Sequence, residues 1–403
     1  MDPDILRSSF AVVERRAEFA VKYFYSHLFR HHPDVRGLFP LDFPEDMERQ
    51  RDRLFAALTH VMERLEDPKL PGYLRELGRD HRKYLAQPDH YAAVGASLIA
   101  AFAVAAGSAW SAEAEKAWGE AYGAITNVML QGAWESQHEG EPPWWDAEVT
   151  ARTRYGDDLV VLTLRPHQRL RYSAGQYVSL NAPHLPGIWR PYSLANAPRV
   201  DHTVDLHISR VENGVLSTAL VRETREGDVL RLGAPGGGLI MRTPREQPLT
   251  FIAAGTGWAP VKALLQQLDA TREARLFLVA RDTSYLYDRD AVERLQARLP
   301  RLAVTFITPA PGRPKAQATE RLLTALGNRA GWTLHDVYLA GPPKLVEEIS
   351  ATLPALGTPP ERIFHDVLPP TGQGHPRPLG TAEWLLNRPQ PAWHNPSSRT
   401  PQT

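Results

Sequence analysis

The stretch FIAAGTGWAPVKALL, residues 251–265, decides how the second half of this chain folds. An apolar run ends at Gly255 and Gly257, and Pro260 stands where a helix begins. A strand that enters a helix through glycines is typical of an open α/β sheet, where the free N–H groups of the helix start can bind a phosphate. A plain strand-to-helix turn explains this motif equally well, so a second observation is needed.

A second glycine turn follows the last apolar run of the same region. YLAGPP, residues 338–343, has Gly341 and Pro342 between a strand and another helix. Apolar strands alternate with helical patterns, as in LTFIAAG, ARLFLVA, LAVTFIT and DVYLAG, which predicts a parallel α/β sheet over 245–369. Ligands of such sheets bind at the carboxyl ends of the strands, so both turns are candidate nucleotide-binding sites.

The region before this sheet shows short alternating runs separated by Gly and Pro. DLVVLTLRP, AGQYVSL, VDLHISRV and DVLRLGAP predict an antiparallel β-barrel over 146–244. Within it, RPYSLANAP crowds a cation, an aromatic ring and a hydroxyl onto one strand end. Arg190 fits phosphate oxygens, Tyr192 offers a stacking face, and Ser193 can donate or accept a hydrogen bond. Taken singly, a surface charge and a barrel-filling aromatic ring are equally good interpretations.

Apolar residues recur at helical spacing over residues 1–137, as in FAVVERRAEFAVKYFYSHLF and YAAVGASLIAAFAVAAG, which predicts an all-α unit. A polar, Pro-containing stretch, SQHEGEPPWWD, separates this unit from the barrel. Residues 370–403 are rich in Pro, Gly, Thr and Asn, and we expect them to be disordered. The sequence therefore predicts three folded units in the order all-α, antiparallel β-barrel and α/β.

Composition excludes several classes of site. The 403-residue chain has no cysteine, which rules out disulfides, iron–sulfur clusters, thiolate-ligated metals and a cysteine nucleophile. Its 46 basic and 46 acidic residues cancel, so no global field attracts nucleic acid or an anionic membrane. The N-terminus lacks a signal-peptide pattern, and we expect no membrane span. We therefore expect a cytoplasmic protein whose partners are small molecules, with no obligate protein partner.

Four motifs, RPYS, GVLS, GTGWAP and AGPP, occur in the order seen in the ferredoxin–NADP reductase superfamily, which this part of the chain resembles. The resemblance implies an FAD-binding barrel followed by a nicotinamide-binding domain. It assigns the flavin phosphate to Arg190, the isoalloxazine ring to Tyr192 and the N5 edge of that ring to Ser193. Gly214 and Ser217 would open a helix toward the FAD pyrophosphate. NADH or NADPH would dock at the two glycine turns, at Gly255, Gly257, Pro260, Gly341 and Pro342.

Electrons from a flavin need an acceptor, and in a chain without cysteine histidine is the natural ligand for iron. His81 shares one helical face with three leucines, Leu74, Leu77 and Leu85. An imidazole on that stripe can reach a buried metal, although a half-buried core histidine is the commoner reason for a lone His there. We assign no function to five other histidines, which include one expected in a barrel strand and four expected at surfaces or caps: His207, His31, His32, His60 and His90.

The helical segment as a whole resembles the globin domain of flavohemoglobins, in which a haem globin is fused to a reductase of this type. The match rests on FYSHLFRHHPDVRGLF, QRDRLF, DHRKYLAQPDHYAAVG and AWGEAYGAITNVM. It implies haem b, with His81 as the proximal iron ligand and a hydrogen bond from Tyr91 to that histidine. Two polar and two apolar side chains would form the distal pocket: Tyr25, Gln50, Phe39 and Leu54. Ordinary helix packing is the competing interpretation for the aromatic residues.

Three positions depart from the family pattern. Ala133 stands where the family has a glutamate on the last globin helix, and Glu135 points about 160° away from it on a 3.6-residue turn. Ala340 stands where the family has a cysteine before GPP, and Leu368 replaces the aromatic residue over the flavin. A carboxylate beside the proximal histidine makes that ligand a stronger donor to iron. Its absence predicts a less electron-rich haem and slower oxygen activation.

The resemblance implies a nitric oxide dioxygenase, in which NAD(P)H reduces FAD, FAD reduces haem, and nitric oxide is oxidised to nitrate with O2. One alternative is an oxygen-binding or redox-sensing globin with its own reductase. Another is an NAD(P)H-dependent reductase of a different acceptor. The choice between NADH and NADPH also stays open, since Arg281 after the strand ARLFLVA suits solvent as well as a 2′-phosphate.

Overall fold

The structure is a computed structural model that describes residues 2–39, 44–242, 247–314, 316–327 and 332–366, with the backbone alone described over 44–53. Within these ranges the chain forms three units in the predicted order. The tail that we expected to be disordered, residues 370–403, lies outside the described residues.

The first unit is helical, as predicted. The hydroxyl of Ser111 accepts a hydrogen bond from the N–H of Ala114 at 3.1 Å and so caps the longest helix of the unit. In the core, Phe102 packs edge-on against Trp118 with a centroid distance of 4.8 Å. The helices are α1 (Pro3–Glu14), α2 (Ala17–His31), α3 (Pro44–Glu63), α4 (Leu70–His81), α5 (Pro88–Ala106) and α6 (Ala112–His138).

Helix α5 bears on the expectation that the chain has no membrane span. The segment Pro88–Ala109 is long enough and, with a mean hydropathy of 1.8, apolar enough to cross a membrane by length and composition. In the structure α5 contacts α2 and α6, and Leu98, Ala101 and Phe102 are almost fully buried. A helix that is apolar on most sides is typical of the centre of a helical core as well as of a bilayer.

The second unit is an antiparallel barrel with the strand order β4-β3-β6-β1-β2-β5. A bridge between Leu194 and Leu206 joins the two edge strands, and the N–H of Ala195 donates to the carbonyl of Asp205 at 2.8 Å. Closure leaves no free sheet edge at this point. The elements are β1 (Trp145–Tyr155), β2 (Leu159–Pro166), β3 (Tyr177–Asn181), β4 (Arg190–Ser193), β5 (Val204–Ser209), α7 (Val215–Arg222) and β6 (Val229–Leu232).

The third unit is a parallel sheet with the order β11-β10-β7-β8-β9. Every residue of β7 and β10 is buried, as expected for central strands of such a sheet. Ala253 pairs with Ala340, so the carboxyl ends of these two strands are neighbours. The elements are β7 (Leu249–Ala254), α8 (Trp258–Gln266), β8 (Ala274–Val279), α9 (Arg289–Arg298), β9 (Leu302–Ile307), α10 (Gln317–Gly327), β10 (Asp336–Ala340), α11 (Pro343–Thr352) and β11 (Ile363–His365).

Candidate functional site

His81 is the last residue of α4, and its ring is fixed by the backbone one turn earlier. Nδ1 lies 2.8 Å from the carbonyl oxygen of Leu77. Because a carbonyl can only accept, Nδ1 carries the proton and Nε2 keeps its lone pair for a metal. Burial lowers the pKa of His81, which favours the neutral imidazole that ligates metals.

The donor set around His81 fits haem better than a bare metal ion. Among the residues that the structure describes, no group of three or more His, Cys, Asp or Glu side chains could hold a metal ion. An ion bound by one imidazole needs further ligands, and a porphyrin supplies four nitrogens of its own. A single neutral histidine beside apolar and aromatic side chains is the arrangement that globins use.

The leucine stripe that we predicted around His81 is correct before that residue and wrong after it. Leu74 is buried and Leu77 is half-buried, as expected. The chain then continues as a 3-10 turn, Arg82–Tyr84, and Leu85 adopts a left-handed φ of 58°. Leu85 is 53% exposed, so it does not continue the buried leucine face.

Two glycines that the sequence analysis missed bring α4 directly onto α6. A Cβ at Gly78 would lie 1.8 Å from the carbonyl oxygen of Met129, and one at Gly132 would lie 2.2 Å from that of Arg75. The two backbones therefore touch, and no other residue fits at either position. This contact fixes the helix that carries His81.

Tyr91 on α5 lies beside His81, with 6.4 Å between the ring centroids. Burial raises the pKa of Tyr91 to about 12, so its phenol stays protonated at neutral pH. The hydroxyl of Tyr122 on α6 donates to the backbone carbonyl of Tyr91 at 2.8 Å and holds that turn of α5 in place. Nδ1 of His81 bonds the carbonyl of Leu77 rather than Tyr91, which differs from the hydrogen bond implied by the resemblance.

Ala133 on α6 is half-buried, and its methyl group stands where the resemblance implied a carboxylate. The nearest acidic residue along the helix is Glu135, whose carboxylate accepts a hydrogen bond from Gln131 at 2.9 Å. This carboxylate is therefore engaged along its own helix. Substitution of Ala133 by a longer side chain is a direct way to test the missing group.

Tyr25 on α2 is buried among aromatic rings. Its ring centroid lies 5.6 Å from that of Phe39 and 5.7 Å from that of Phe29. Leu54 on α3 is half-buried and packs against the same core. The structure thus brings Tyr25 and Phe39 together and places Leu54 in the same core. The side chain of Gln50 lies outside the described residues.

Arg190, Tyr192 and Ser193 belong to β4 and are all half-buried. Strand alternation puts Arg190 and Tyr192 on one face and Ser193 on the other. Nη1 of Arg190 donates to the carbonyl of Trp189 at 2.9 Å. Burial raises the pKa of Tyr192, although the Arg190 guanidinium opposes that shift, so the phenol stays neutral.

Gly214 and Ser217 shape the turn at the start of α7. Oγ of Ser217 accepts from the N–H of Val211 at 3.0 Å and donates to the carbonyl of Gly214 at 3.2 Å. A Cβ at Gly214 would lie 2.5 Å from that Oγ, which explains the glycine. The motif therefore opens a helix, as predicted, and its hydroxyl bonds within the turn.

The two glycine turns of the α/β unit touch each other. Gly255 adopts a φ of 56°, a conformation that favours glycine. A Cβ at Gly257 would lie 2.2 Å from the carbonyl oxygen of Ala340. Pro260 lies in the first turn of α8, and Pro342 directly precedes α11. The two motifs thus form one continuous rim at the carboxyl ends of β7 and β10.

A cleft of about 980 Å³ separates the barrel from the α/β unit. Tyr192 and Ser193 line the cleft from the barrel side, and His207 and Tyr287 also line it. Its volume suits a dinucleotide, since ligand sites of this kind span about 300–1,000 Å³. The glycine-turn residues line it from the other side, namely Gly255, Gly257, Pro260, Gly341 and Pro342.

Asp366 also lines this cleft. Its carboxylate accepts from the N–H groups of Gly238 at 2.8 Å and Leu239 at 3.2 Å. Gly237 adopts a φ of 101°, and a Cβ there would lie 2.5 Å from Oδ2 of Asp366. The end of the α/β unit is therefore tied to a barrel loop. Leu368, two residues further, lies outside the described residues.

Sequence reasoning missed three buried polar side chains. His60, which we expected at the surface, is 4% exposed and bonds Arg64 at 2.8 Å through Nδ1. Lys83 is 7% exposed and reaches across to the barrel. His207 is 3% exposed and lies at the boundary between the barrel and the α/β unit. For His60 and His207, the sequence signal for burial was a polar residue inside an apolar run. For Lys83 there was no such signal.

Each of the three units matches a family of known proteins. A globin family model matches residues 22–129, an oxidoreductase FAD-binding domain matches 146–240, and an oxidoreductase NAD-binding domain matches 251–351. A flavohemoprotein of Deinococcus radiodurans is 27% identical over 401 residues, covering 93% of this chain and 98% of that protein. A ferredoxin–NAD(P)(+) reductase component of naphthalene 1,2-dioxygenase/salicylate 5-hydroxylase systems from a Ralstonia species is 30% identical over 231 residues, covering 56% of this chain and 69% of that protein.

The fold is similar along nearly the whole chain to a solved flavohemoglobin. The crystal structure of flavohemoglobin from Malassezia yamatoensis, with bound FAD and haem, has a TM-score of 0.73 at 20% identity and covers 91% of this chain and 98% of its own. The order of the three units agrees with these relatives. The chain therefore belongs to the flavohemoglobin family and is an NAD(P)H-dependent flavohaem oxidoreductase with haem and FAD as its cofactors.

Proposed function

We propose that this chain is a nitric oxide dioxygenase. The observation that carries the proposal is the contact between the loop after His81 and the barrel, where Nζ of Lys83 lies 3.0 Å from Oγ of Ser179 on β3. The strand β3 is paired with β4, which carries the flavin motif, so the contact supports electron passage within one chain. With its cofactors bound, the chain would take a hydride from NAD(P)H and pass single electrons through FAD to haem iron, where O2 and nitric oxide would yield nitrate.

On the haem side, His81 is proposed as the proximal iron ligand. The bond from its Nδ1–H to the Leu77 carbonyl fixes both the ring orientation and the tautomer that presents Nε2 to the metal. Tyr91 packs beside the same ring and restricts its rotation. Four side chains are proposed to form the distal wall, the first two as hydrogen-bonding groups: Tyr25, Gln50, Phe39 and Leu54.

On the flavin side, Arg190 is proposed to bind the flavin phosphate, Tyr192 to pack on the ring and Ser193 to bond its N5 edge. The half-buried position of all three on β4 supports these roles. Gly214 and Ser217 are proposed to shape the turn that faces the pyrophosphate. The glycine turns would hold the nicotinamide cofactor, with Leu368 over the flavin: Gly255, Gly257, Pro260, Gly341 and Pro342.

The proposed domain boundaries are 1–137 for the haem unit, 146–244 for the FAD unit and 245–369 for the nicotinamide unit. We place the protein in the cytoplasm, where a chain without cysteine is in keeping with reducing conditions. We propose O2, nitric oxide and NAD(P)H as its partners, with no obligate protein partner, nucleic acid or membrane among them.

The decisive experiment measures nitric oxide consumption by purified haem- and FAD-loaded protein with O2 and either NADH or NADPH. We expect consumption that requires both O2 and the reduced nucleotide and yields nitrate. No nitrate, although the haem becomes reduced, would contradict the proposal. Normal nucleotide oxidation by His81→Ala, which lacks the proposed iron ligand, would point instead to a reductase of another acceptor.

A second candidate function is an oxygen-binding or redox-sensing globin with its own reductase. The observation that favours it is the proximal hydrogen bond, since Nδ1 of His81 bonds a neutral carbonyl and Ala133 supplies no carboxylate. A neutral acceptor polarises the imidazole less than a carboxylate does, so the iron receives less electron density. Slow turnover with a persistent oxygenated spectrum would favour this function over the dioxygenase.

A further inference from the structure

A buried polar cluster joins the barrel to the α/β unit beside the cleft. Nδ1 of His207 on β5 lies 2.9 Å from Oη of Tyr287, which stands in the loop before α9. Both side chains are more than nine-tenths buried. The ring of Tyr155 on β1 packs edge-on against Tyr287 at a centroid distance of 5.3 Å. The barrel therefore contacts this loop through one hydrogen bond and one aromatic pair.

Asp288 anchors the other side of the cluster. Its Oδ2 accepts from Nζ of Lys262 at 2.8 Å and from Nε1 of Trp258 at 3.0 Å, and both donors belong to α8. Nε2 of His207 lies 3.9 Å from the same oxygen. Asp288 adopts a left-handed φ of 58°, which is unfavourable for a non-glycine residue unless its surroundings hold it there. Asp288 thus fixes the loop to α8, and the residue before it, Tyr287, bonds the barrel.

His207 is neutral in this setting, because burial and the nearby Lys262 lower its pKa well below the usual range. Its Nε2 is buried and has no hydrogen-bond partner among the described residues. Folding alone does not favour such a group, since an apolar side chain of similar size would avoid the cost of desolvation. A role in positioning the two units that form the neighbouring cleft gives a reason for the histidine.

The cluster lies beside the cleft in which the nicotinamide cofactor and FAD must meet. His207 and Tyr287 line the same cleft as the flavin motif residue Tyr192 and the glycine turn at Gly255. Hydride transfer needs its reacting atoms about 3–3.5 Å apart, and displacement of about 1 Å can cost two orders of magnitude in rate. Donor and acceptor bind on different units, so the relative position of the units sets that distance.

We propose that the hydrogen bond between His207 and Tyr287, held in place by Asp288 and Lys262, positions the two units for hydride transfer from the nicotinamide cofactor to FAD. His207 and Tyr287 are positioning residues in this proposal. The hydride leaves C4 of the nicotinamide with both electrons and reduces the flavin, and the cluster itself gains or loses no proton. The proposal rests on the oxidoreductase activity of the family and not on nitric oxide as the substrate.

The test measures flavin reduction in haem- and FAD-loaded protein mixed anaerobically with NADH, or with NADPH if wild type prefers it. Tyr287→Phe keeps the ring and removes the hydroxyl that bonds His207. We expect the rate constant at saturating nucleotide to fall about threefold or more, with a primary isotope effect from C4-deuterated nucleotide at least as large as in wild type, because the hydride step itself is slowed. Affinity for the oxidised nucleotide, measured by calorimetry, should change less than about twofold.

Two comparisons separate positioning from general destabilisation. Tyr172→Phe is the matched control. The hydroxyl of Tyr172 donates to the carbonyl of Asn196 within the barrel at 3.2 Å, so its removal should leave the rate of flavin reduction unchanged. His207→Ala combined with Tyr287→Phe should be no slower than the slower single variant, because both changes remove the same bond. Amide hydrogen exchange of the Tyr287→Phe protein without nucleotide should be faster in β5 and in residues 282–288.

Several results would overturn the proposal. One is a wild-type rate for Tyr287→Phe, and another is a loss confined to nucleotide affinity, which would make the residue a binding contact. Additive losses in the double variant, or equal losses in Tyr172→Phe, would also contradict it. None of these measurements involves nitric oxide, so failure of the dioxygenase proposal and failure of this one are distinguishable.

Discussion

Nζ of Lys83 donates a hydrogen bond to Oγ of Ser179 at 3.0 Å, across the boundary between the helical unit and the barrel. The same ammonium group pairs with Asp80 at 2.6 Å and lies 5.8 Å from the centroid of the Trp189 ring. Asp80 immediately precedes His81 in the chain. The residues on both sides of the candidate iron ligand are therefore linked to the sheet that carries the flavin motif.

Lys83→Met should slow electron transfer from flavin to haem without slowing flavin reduction by the nicotinamide nucleotide. Met keeps much of the packing volume and removes the charge-assisted bonds, each worth about 1.5–3 kcal/mol. We expect the haem-reduction phase in anaerobic stopped-flow experiments to slow about threefold or more. Lys22→Met is the matched control, because Lys22 is 70% exposed and pairs with Glu18 on the surface of α2. Equal haem-reduction rates in the two variants would contradict the prediction.

Gly78→Ala should destabilise the helical unit. The added Cβ would lie 1.8 Å from the carbonyl oxygen of Met129, so α4 and α6 must move apart. Overpacking of this kind costs about 1–3 kcal/mol, which exceeds the gain of about 1 kcal/mol from helix propensity. Haem content and the thermal midpoint of the helical signal should both fall. Gly119→Ala on α6 is the control, since its Cβ meets no atom within 4 Å and should raise stability.

The burial of His60 should make the helical unit less stable in mild acid. Burial, reinforced by Arg64, lowers the pKa of His60 from 6.5 to about 4. As the pH falls, the unfolded chain takes up the proton first, so stability is complete above pH 6.5 and is lost toward pH 4. This one group should account for about 2 kcal/mol between pH 7 and pH 5. His60→Gln should therefore reduce the pH dependence of the urea midpoint, and an unchanged pH dependence in this variant would contradict the prediction.

Motifs that are local in sequence were predicted correctly, because strand alternation and glycine turns depend on neighbouring residues. Gly255 and Gly341 were each identified from one strand-to-helix turn. That these turns touch follows from strand order, since β10 pairs with β7. The stripe around His81 was wrong at Leu85 because that residue adopts a left-handed φ and the helical path has already ended. Pro88, three residues later, was the sequence signal for this break.

Residues whose role depends on a partner far along the chain could not be predicted. Gly78 matters because Met129 lies against it, and Lys83 is buried because Ser179 lies opposite. The imidazole of His207 has a partner 80 residues away. A sequence pattern reports the face on which a side chain lies, and not what another unit places against that face.

Ala133→Glu should increase the electron donation from the His81 imidazole to the haem iron. The half-buried methyl group lies on α6, the helix whose backbone touches α4 around Gly78. A carboxylate at this position can accept a hydrogen bond on the proximal side and increase the basicity of the His81 imidazole, which strengthens the iron–histidine bond. We expect a higher iron–histidine stretching frequency in the ferrous protein, a lower haem reduction potential and faster nitric oxide consumption. Trp134→Glu adds the same charge at a position that is 59% exposed, so it separates local contact from net charge. Equal stretching frequencies in the two variants would mean that Ala133 does not explain the proximal environment, because a contact effect must depend on which side of α6 carries the carboxylate.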